Sequence, residues 1–227
     1  TVTDLADEST LADSIKALDG LDVTYRLGGH DEAELDAVDL LVVSPAVDKN
    51  KSEFFQRAIA RGLPWTSETN LFFERCEGQI VGITGSVGKS TTTAMIGEIL
   101  TAALAGRRDE PRVWVGGNIG RSLLDELPNI RRCDVVVLEL SSFQLEDLAS
   151  VRLGAAHAVL TNLRPNHLDR HGSMDAYADA KMNLVRFLRR HGSIVFNGDD
   201  PELQRWLRTV RPDDPDGGYK RPVSYSD

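Results

Sequence analysis

Short apolar runs alternate with amphipathic stretches along most of the chain. From Leu21 onward the sequence reads as an apolar run, LDVTYRL, an amphipathic stretch, DEAELDAV, a second apolar run, DLLVVSP, and a second amphipathic stretch, KSEFFQRAIARG. Strand, helix, strand and helix in this order are typical of a parallel sheet covered by helices. The pattern therefore predicts an α/β fold for the first part of the chain.

A second series of apolar runs predicts a second sheet. Its members are QIVGITG, RVWVGG, CDVVVLEL, AAHAVLTN and GSIVFNGDD. They are rich in Val, Ile and Leu with little alternation, as expected of strands buried on both faces. The intervening TSETNLFFERCEGQ has no strong strand signal, so we predict domains at 1–76 and 77–227. The later RPDDPDGGYKRP is predicted to be an exposed loop.

Composition narrows the possible functions. A formal charge of −9 over 227 residues argues against general nucleic-acid binding, since phosphate backbones need a basic face. No apolar run is long enough to cross a bilayer, and no export signal opens the chain, so a cytoplasmic protein is expected. Cys76 and Cys133 lie far apart in no metal-type spacing and are expected to be reduced structural thiols.

The sequence VGITGSVGKSTTT places a glycine-containing turn between a predicted strand and a helix-forming run. Backbone amides at a helix N-terminus favour an anion, so Gly85, Ser86, Val87 and Gly88 are candidates for a phosphate loop. Lys89 would reach the β and γ phosphates, and Ser90 or Thr91 would offer a hydroxyl to magnesium. Because the glycine spacing departs from the common pattern, a flexible turn with an incidental lysine is the alternative.

Glu139 ends the predicted strand CDVVVLEL. Ligands of open α/β sheets bind at the carboxyl ends of the strands. If this strand neighbours the loop strand, Glu139 can hold a magnesium ion shared with the phosphates. The alternative is a solvated acid at a strand end.

Lys181 falls on the apolar stripe of a helix predicted from the Ser173 cap to before Gly192. A buried ammonium must find a carboxylate, lose its proton or be chemically changed, for example by carbon dioxide to a carbamate. Nearby, His167 and Asp169 are candidate ligands of magnesium or manganese, or phosphate contacts. A lysine that reaches water and a loop-capping histidine are the alternatives.

Taken in order, ITGSVGKSTTT, VGGNIG, LELSSFQLE, TNLRPNHLDRHGSMDAYADAK and FNGDDP resemble the Mur ligases of bacterial cell-wall synthesis. GGNIG and ELSSFQLE are most similar to the member that adds D-glutamate to UDP-N-acetylmuramoyl-L-alanine. The resemblance implies a partial Rossmann-like domain at 1–76 for the UDP-substrate. It also implies a central P-loop ATPase domain at 77–227, with a mostly parallel sheet flanked by helices. A further domain would follow the last residue.

The resemblance also implies the chemistry and the site residues. The expected reaction uses ATP and magnesium or manganese, passes through an acyl phosphate and forms an amide bond, in a monomer without nucleic-acid or membrane partners. The implied catalytic residues are Lys89, His167 and Lys181. Those implied for ATP are Gly85, Ser86, Val87, Gly88, Lys89, Ser90, Thr91 and Asn197. Those implied for the substrate are Ser44, Pro45, Asn118, Ser141 and His167. Those implied for metal are Ser90, Glu139, His167 and carbamylated Lys181.

Val87 departs from the family, which commonly has Asn at this place in the loop, so a side-chain contact is expected to be lost while the backbone cradle remains. Three other functions stay open. They are a different Mur ligase or a folylpolyglutamate synthase relative, a nucleotide-dependent switch or partition ATPase, and a nucleotide-binding remnant without catalysis. A switch protein has no need for a buried lysine at Lys181.

Overall fold

A computed structural model describes residues 1–120, 122–209 and 223–225 and divides the chain into two compact units. The first comprises Thr1–Val43 and Val47–Thr66, and the second comprises Ser44–Ala46 and Ser67–Asp227. This division falls earlier in the chain than the predicted boundary at 76/77. The reason is a helix in the supposed boundary segment, α3 (Glu68–Arg75), whose Phe72 and Phe73 belong to the core of the second unit.

The first unit contains two separate pairs of parallel strands. Its elements are β1 (Val2–Asp4), α1 (Ala12–Ala17), β2 (Tyr25–Leu27), a 3-10 helix (Glu32–Asp36), β3 (Leu41–Val42), α2 (Glu53–Ala60) and β4 (Trp65–Thr66). β1 pairs with β2, and β3 pairs with β4. The predicted strand, helix, strand, helix order is confirmed, although DEAELDAV forms only a short 3-10 helix capped by Asp31.

The second unit is built on one six-stranded sheet. Besides α3, its elements are β5 (Gln79–Thr84), α4 (Lys89–Leu104), β6 (Val113–Gly117), a 3-10 helix (Leu124–Asn129), β7 (Val135–Glu139), α5 (Ser142–Val151), β8 (His157–Leu160), α6 (Leu168–His171), α7 (Met174–Arg186), β9 (Ser193–Asn197), α8 (Pro201–Thr209) and β10 (Val223–Tyr225). All five predicted strands are confirmed. The loop predicted at RPDDPDGGYKRP lies outside the described residues.

Strand order makes β5 the centre of the sheet. The order is β10-β9-β8-β5-β7-β6, and every described pairing is parallel. The chain leaves β5 towards β6, returns to β7 beside β5, and then crosses to β8 on the other side. The carboxyl ends of β7, β5 and β8 therefore meet at one edge, where ligands of open α/β sheets bind.

Apolar side chains cover both faces of this sheet. Ile80 belongs to the larger cluster, which includes residues of α3, α5 and α7. Val81 and Ile83 belong to a smaller cluster, against which Ile96 and Leu100 of α4 pack. Burial on both faces explains why the strand sequences lack alternation. No helix of the described residues is both long enough and apolar enough to span a membrane.

Asp134 ties the amino ends of β6 and β7 together. Its buried carboxylate accepts hydrogen bonds from the backbone N–H groups of Arg112 and Arg131, at 2.9 and 3.1 Å, and from Trp114 Nε1–H at 3.1 Å. The Arg131 guanidinium also donates to it at 2.8 Å. Burial alone raises the pKa of Asp134, but these hydrogen bonds outweigh it and hold the pKa well below its usual range. Asp134 directly precedes β7, whose pairing with β5 begins at Val135 and places Glu139 opposite Ile83.

We expect Asp134→Ala to lower the free energy of unfolding by about 3 kcal/mol, because several donors lose the buried carboxylate that they share. Urea denaturation measures the loss. Asp125→Ala, which removes an exposed carboxylate from the Leu124–Asn129 helix, is the matched control. Equal losses in the two variants would contradict the anchoring role of Asp134.

Candidate active site

The turn between β5 and α4 has the backbone shape of an anion-binding loop. Gly85 has φ of +153°, and a Cβ atom there would lie 2.0 Å from Thr161 Oγ1. Gly88 has φ of +80° and caps α4. Both positions therefore favour glycine, one through close approach and one through its left-handed conformation. The two glycines of the predicted loop are required by its geometry.

The N-terminus of α4 offers backbone donors at this edge. Thr92 N–H donates to Gly88 O at 3.0 Å, so the N–H groups of residues 88–91 precede the first bond inside the helix. Together with the helix dipole they form a positive end suited to phosphate. Lys89 Nζ donates to Ser86 O at 3.3 Å, which places the ammonium across the loop. Ser90 and Thr91 are exposed in the first turn.

Residues 161–164, which follow β8, hold the loop from one side. Thr161 Oγ1 and Asn162 Nδ2 both donate to Val87 O at 2.8 Å, and Val87 N–H donates to Asn162 Oδ1 at 2.9 Å. Ser86 N–H donates to Asn162 O at 3.1 Å. Ser86 Oγ also exchanges two 2.8 Å hydrogen bonds with the backbone of Arg164. The conformation of the loop is thus fixed by hydrogen bonds from residues 161–164, which follow the neighbouring strand β8.

Glu139 lies beside the loop strand, as predicted. It pairs with Ile83 of β5 on one side and Gly117 of β6 on the other. The side chain is 2% exposed, and Oε1 accepts a 3.0 Å hydrogen bond from Asn118 Nδ2. Within the described part of the chain, Oε2 has no hydrogen-bond partner. A buried carboxylate oxygen without a donor is a site for a cation.

Lys181 is buried against the predicted phosphate loop, which confirms its predicted place on the inner face of α7. It is 2% exposed, and Nζ donates to Gly85 O at 2.9 Å and to Thr84 Oγ1 at 3.3 Å. Burial, followed by the nearby Lys89 charge, lowers its pKa from 10.5 to about 7, while Glu139 opposes the shift. At neutral pH a large fraction of Lys181 is therefore an uncharged amine.

His167 belongs to an aromatic cluster beside Lys181. Its ring lies 5.2 Å from the Phe143 ring and 6.5 Å from the Tyr177 ring, measured between centroids. Tyr177 contacts the loop through a 3.0 Å hydrogen bond with Ser86 Oγ, and Lys181 Nζ lies 4.7 Å from its ring centroid. His167 itself is exposed, so its imidazole is open to a ligand.

The remaining predicted residues make local contacts. Ser141 caps α5 by accepting from Gln144 N–H at 3.2 Å. Asn197, at the end of β9, accepts from Asp199 N–H at 2.9 Å. Ser44 accepts from Ala46 N–H at 3.2 Å, and Pro45 O accepts from Arg170 at 2.7 Å. Their roles towards substrate or adenine stay predictions.

The hydrogen bonds therefore bring together only part of the predicted set. Loop residues 85–89 and Lys181 form one network, and Glu139 with Asn118 lies on the neighbouring strand ends. In residues 1–120, 122–209 and 223–225, no group of three His, Cys, Asp or Glu side chains could hold a metal ion. A metal here would need ligands from another source, such as phosphate oxygens or a modified Lys181.

The sequence reasoning missed Asn162 and Tyr177. Asn162 ends the predicted strand AAHAVLTN, and Glu139 lies near the end of CDVVVLEL, so the rule that indicates Glu139 also applies to Asn162 once β8 is known to neighbour β5. Tyr177 lies on the apolar face of the same helix as Lys181, where the sequence pattern predicts only packing, although its hydroxyl contacts Ser86.

Comparison with known proteins identifies the class. The family description "Mur ligase middle domain" matches residues 83–216, which is more than half of the chain. The chain therefore belongs to the Mur ligase family, and the resemblance seen in its motifs is confirmed.

The most similar relatives include three proteins named UDP-N-acetylmuramoylalanine–D-glutamate ligase. The protein of Roseiflexus sp. (strain RS-1) is 40% identical over 94% of this chain and 45% of its own length. The protein of Geobacter metallireducens is 41% identical over 88% of this chain and 42% of its own length. The protein of Anaeromyxobacter dehalogenans is 40% identical over 100% of this chain and 47% of its own length. The chain thus spans less than half the length of the curated relatives it matches.

Solved structures agree on the fold. The UDP-N-acetylmuramate:L-alanyl-gamma-D-glutamyl-meso-diaminopimelate ligase of Neisseria meningitides superposes with a TM-score of 0.60 at 25% identity, covering 92% of this chain and 67% of that one. A UDP-N-acetylmuramoyl-L-alanyl-D-glutamate–2,6-diaminopimelate ligase superposes with a TM-score of 0.50 at 21% identity, covering 85% of this chain and 47% of that one. The second likeness concerns the fold alone.

The lowered pKa of Lys181 predicts how stability depends on pH. Between about pH 7 and 10.5 the unfolded chain binds a proton that the folded chain lacks. The free energy of unfolding should therefore rise with pH in this window, relative to Lys181→Met, with a slope of up to about 1.4 kcal/mol per pH unit.

Urea denaturation in bicarbonate-free buffer at several pH values measures this slope. Lys16→Met, which removes an exposed lysine of α1, should follow the wild type. Parallel curves for wild type and Lys181→Met would show that Lys181 titrates normally.

Proposed function

We propose that the intact protein is an ATP-dependent ligase that adds D-glutamate to UDP-N-acetylmuramoyl-L-alanine in peptidoglycan synthesis. The observation that carries the proposal is the meeting of a phosphate loop, a buried carboxylate with an unpaired oxygen and a buried amine at one sheet edge. Relatives with about 40% identity bear the name of this activity.

A switch or partition ATPase is the second candidate, and the position of Lys181 disfavours it. Such a protein needs the loop and the strand carboxylate for ATP. It has no evident use for an amine that is 2% exposed and bonded to Gly85 O, whose burial costs free energy.

In the proposed reaction, ATP binds with its phosphates on the N–H groups of residues 88–91 and beside Lys89. Asn197, at the end of β9, serves the adenine side. A substrate carboxylate oxygen attacks the γ phosphorus and ADP leaves, which gives an acyl phosphate. The amine of D-glutamate then attacks the acyl carbon, phosphate leaves and the nitrogen loses a proton. Since two anions must approach each other, Lys89 acts by neutralising the transferring group and aligning it.

The residues present fit a divalent cation at Glu139. Its unpaired Oε2 and the Ser90 hydroxyl are oxygen ligands of the kind that magnesium and manganese accept. When bound, such an ion supplies positive charge to the phosphate oxygens. A second ion would be held by His167 and Lys181, provided that Lys181 is first converted into a carboxylate-like group.

We propose that this conversion is carbamylation. The neutral amine of Lys181 attacks carbon dioxide, an N–C bond forms and one proton leaves, so the product is an anionic carbamate. The lowered pKa supports this step because only the uncharged amine is nucleophilic. On the substrate side, Ser44, Pro45, Asn118, Ser141 and His167 are the proposed contacts of the UDP-linked sugar and its acyl group.

The amino-acid acceptor decides between this function and the alternatives. With ATP and UDP-N-acetylmuramoyl-L-alanine, the intact protein should release phosphate when D-glutamate is added, and not with L-glutamate, L-lysine or diaminopimelate. Lys89→Ala should lower the rate by about a hundredfold or more, since a main counter-charge is lost, while Lys16→Ala should not. Phosphate release with another acceptor would indicate a different ligase, and release without any acceptor would indicate an ATPase.

The carbamate can be tested by chemical rescue. Lys181→Ala should lower ligase turnover by about a hundredfold, because an anion that holds the site together is removed. Millimolar acetate should partly restore turnover in this variant, and it should not restore Lys89→Ala, which lacks a cation. Normal turnover of Lys181→Ala without acetate would show that the carbamate is not required.

A further inference from the structure

We propose that Asn162 is a positioning residue, which clamps the backbone of Val87 and so pre-forms the phosphate loop before nucleotide binds. The inference rests on the proposed function, since it concerns how the same loop receives the phosphates of ATP. It assigns to Asn162 a role that acts only through the loop, with no contact to the reacting atoms.

The clamp satisfies both backbone groups of one residue. Asn162 Oδ1 accepts from Val87 N–H at 2.9 Å, and Asn162 Nδ2 donates to Val87 O at 2.8 Å. A side-chain amide carries one donor end and one acceptor end, so it matches a peptide unit as a neighbouring strand would. An aspartate carboxylate has no donor and alanine has neither group, so neither residue can make both bonds at neutral pH.

The clamp recognises only backbone, which explains why valine is tolerated at this position. The Val87 side chain is 66% exposed and takes no part in either hydrogen bond. Because Val87 N–H is already engaged, the donors left for phosphate are those of residues 88–91.

The segment that bears Asn162 is itself firmly held. Thr161 Oγ1 bonds to the same Val87 carbonyl at 2.8 Å, and Leu163 N–H donates to Asp200 Oδ2 at 2.9 Å. Asp200 is buried and caps α8 by accepting from Glu202 N–H at 2.9 Å. The clamp is thus anchored to β8 on one side and to α8 on the other.

Gly85 and Gly88 on either side of Val87 make an external clamp necessary. Glycine has the largest backbone freedom, so a loop with two glycines loses much conformational entropy when it orders around a ligand. A loop that is ordered beforehand avoids this loss on binding. The benefit applies to ligands that carry phosphates, because adenosine makes no contact with the cradle of N–H groups.

The test compares nucleotides with and without phosphates. In the intact protein, Asn162→Ala should weaken ATP and ADP binding about tenfold, as expected for the loss of a pre-formed loop, and should leave adenosine binding within about twofold. Titration calorimetry or competition with a fluorescent nucleotide measures these affinities. Asn129→Ala, which removes an exposed asparagine of the Leu124–Asn129 helix, is the control and should match the wild type.

Two outcomes would overturn the role of Asn162. One is ATP affinity of Asn162→Ala within about twofold of wild type, since no preorganisation is then lost. The other is an equal loss of adenosine and ATP affinity, which would indicate general damage to the domain. If the wild type itself fails to bind ATP, the proposed function is wrong, and that result is distinct from either outcome for the variant.

Asn162→Asp provides a second measurement, which also serves if the alanine variant fails to fold. A protonated carboxyl group has one donor and one acceptor, as the amide has, whereas the carboxylate only accepts. The ratio of variant to wild-type dissociation constants for ADP should therefore fall towards one as the pH is lowered from about 8 to about 4, close to the usual pKa of aspartate. A ratio that does not change with pH would contradict the two-bond clamp.

Discussion

The parallel pairing of β5 with β7 on one side and β8 on the other is the constraint on which the site depends. Parallel strands end at the same edge, so this pairing alone brings Glu139 and the 161–164 segment to the two sides of the phosphate loop. Each neighbour then has a separate task. β7 ends in the buried carboxylate of Glu139, and residues 161–164, which follow β8, make the hydrogen bonds that shape the loop.

The site concentrates positive charge in a protein of net charge −9. Lys181 is buried close enough to Lys89 for their charges to repel, and this repulsion adds to burial in lowering the pKa of Lys181. A neutral amine relieves the repulsion in the free protein. An anionic carbamate would reverse the sign, so that one side chain changes from a competitor of the metal into its ligand.

Much of this arrangement follows from sequence, because the second unit's strands are buried on both faces and stand out as unbroken apolar runs. Glu139 and Lys181 can be predicted for the same reason, because each is a charged residue among apolar ones. Glu139 ends an apolar strand, and Lys181 lies on the apolar face of a helix. The α3 helix is not predicted because it spans only 8 residues, and a segment without a strong strand signal indicates a boundary between the two domains. The Asp134 and Asn162 contacts join segments far apart in sequence, so they require the strand order, which local patterns do not contain.

The predicted phosphate loop combines a reduced glycine spacing with support from outside the loop. A long glycine-rich turn can wrap an anion by its own conformation, whereas this short turn has its Ser86 and Val87 backbone groups bonded to residues outside it. The hydrogen bonds to Val87 do not involve its exposed side chain, so the contacts that shape this part of the loop come from residues 161–164. If the loop binds phosphate, as we propose, its shape for that ligand depends on the segment beside it as well as on its own glycines.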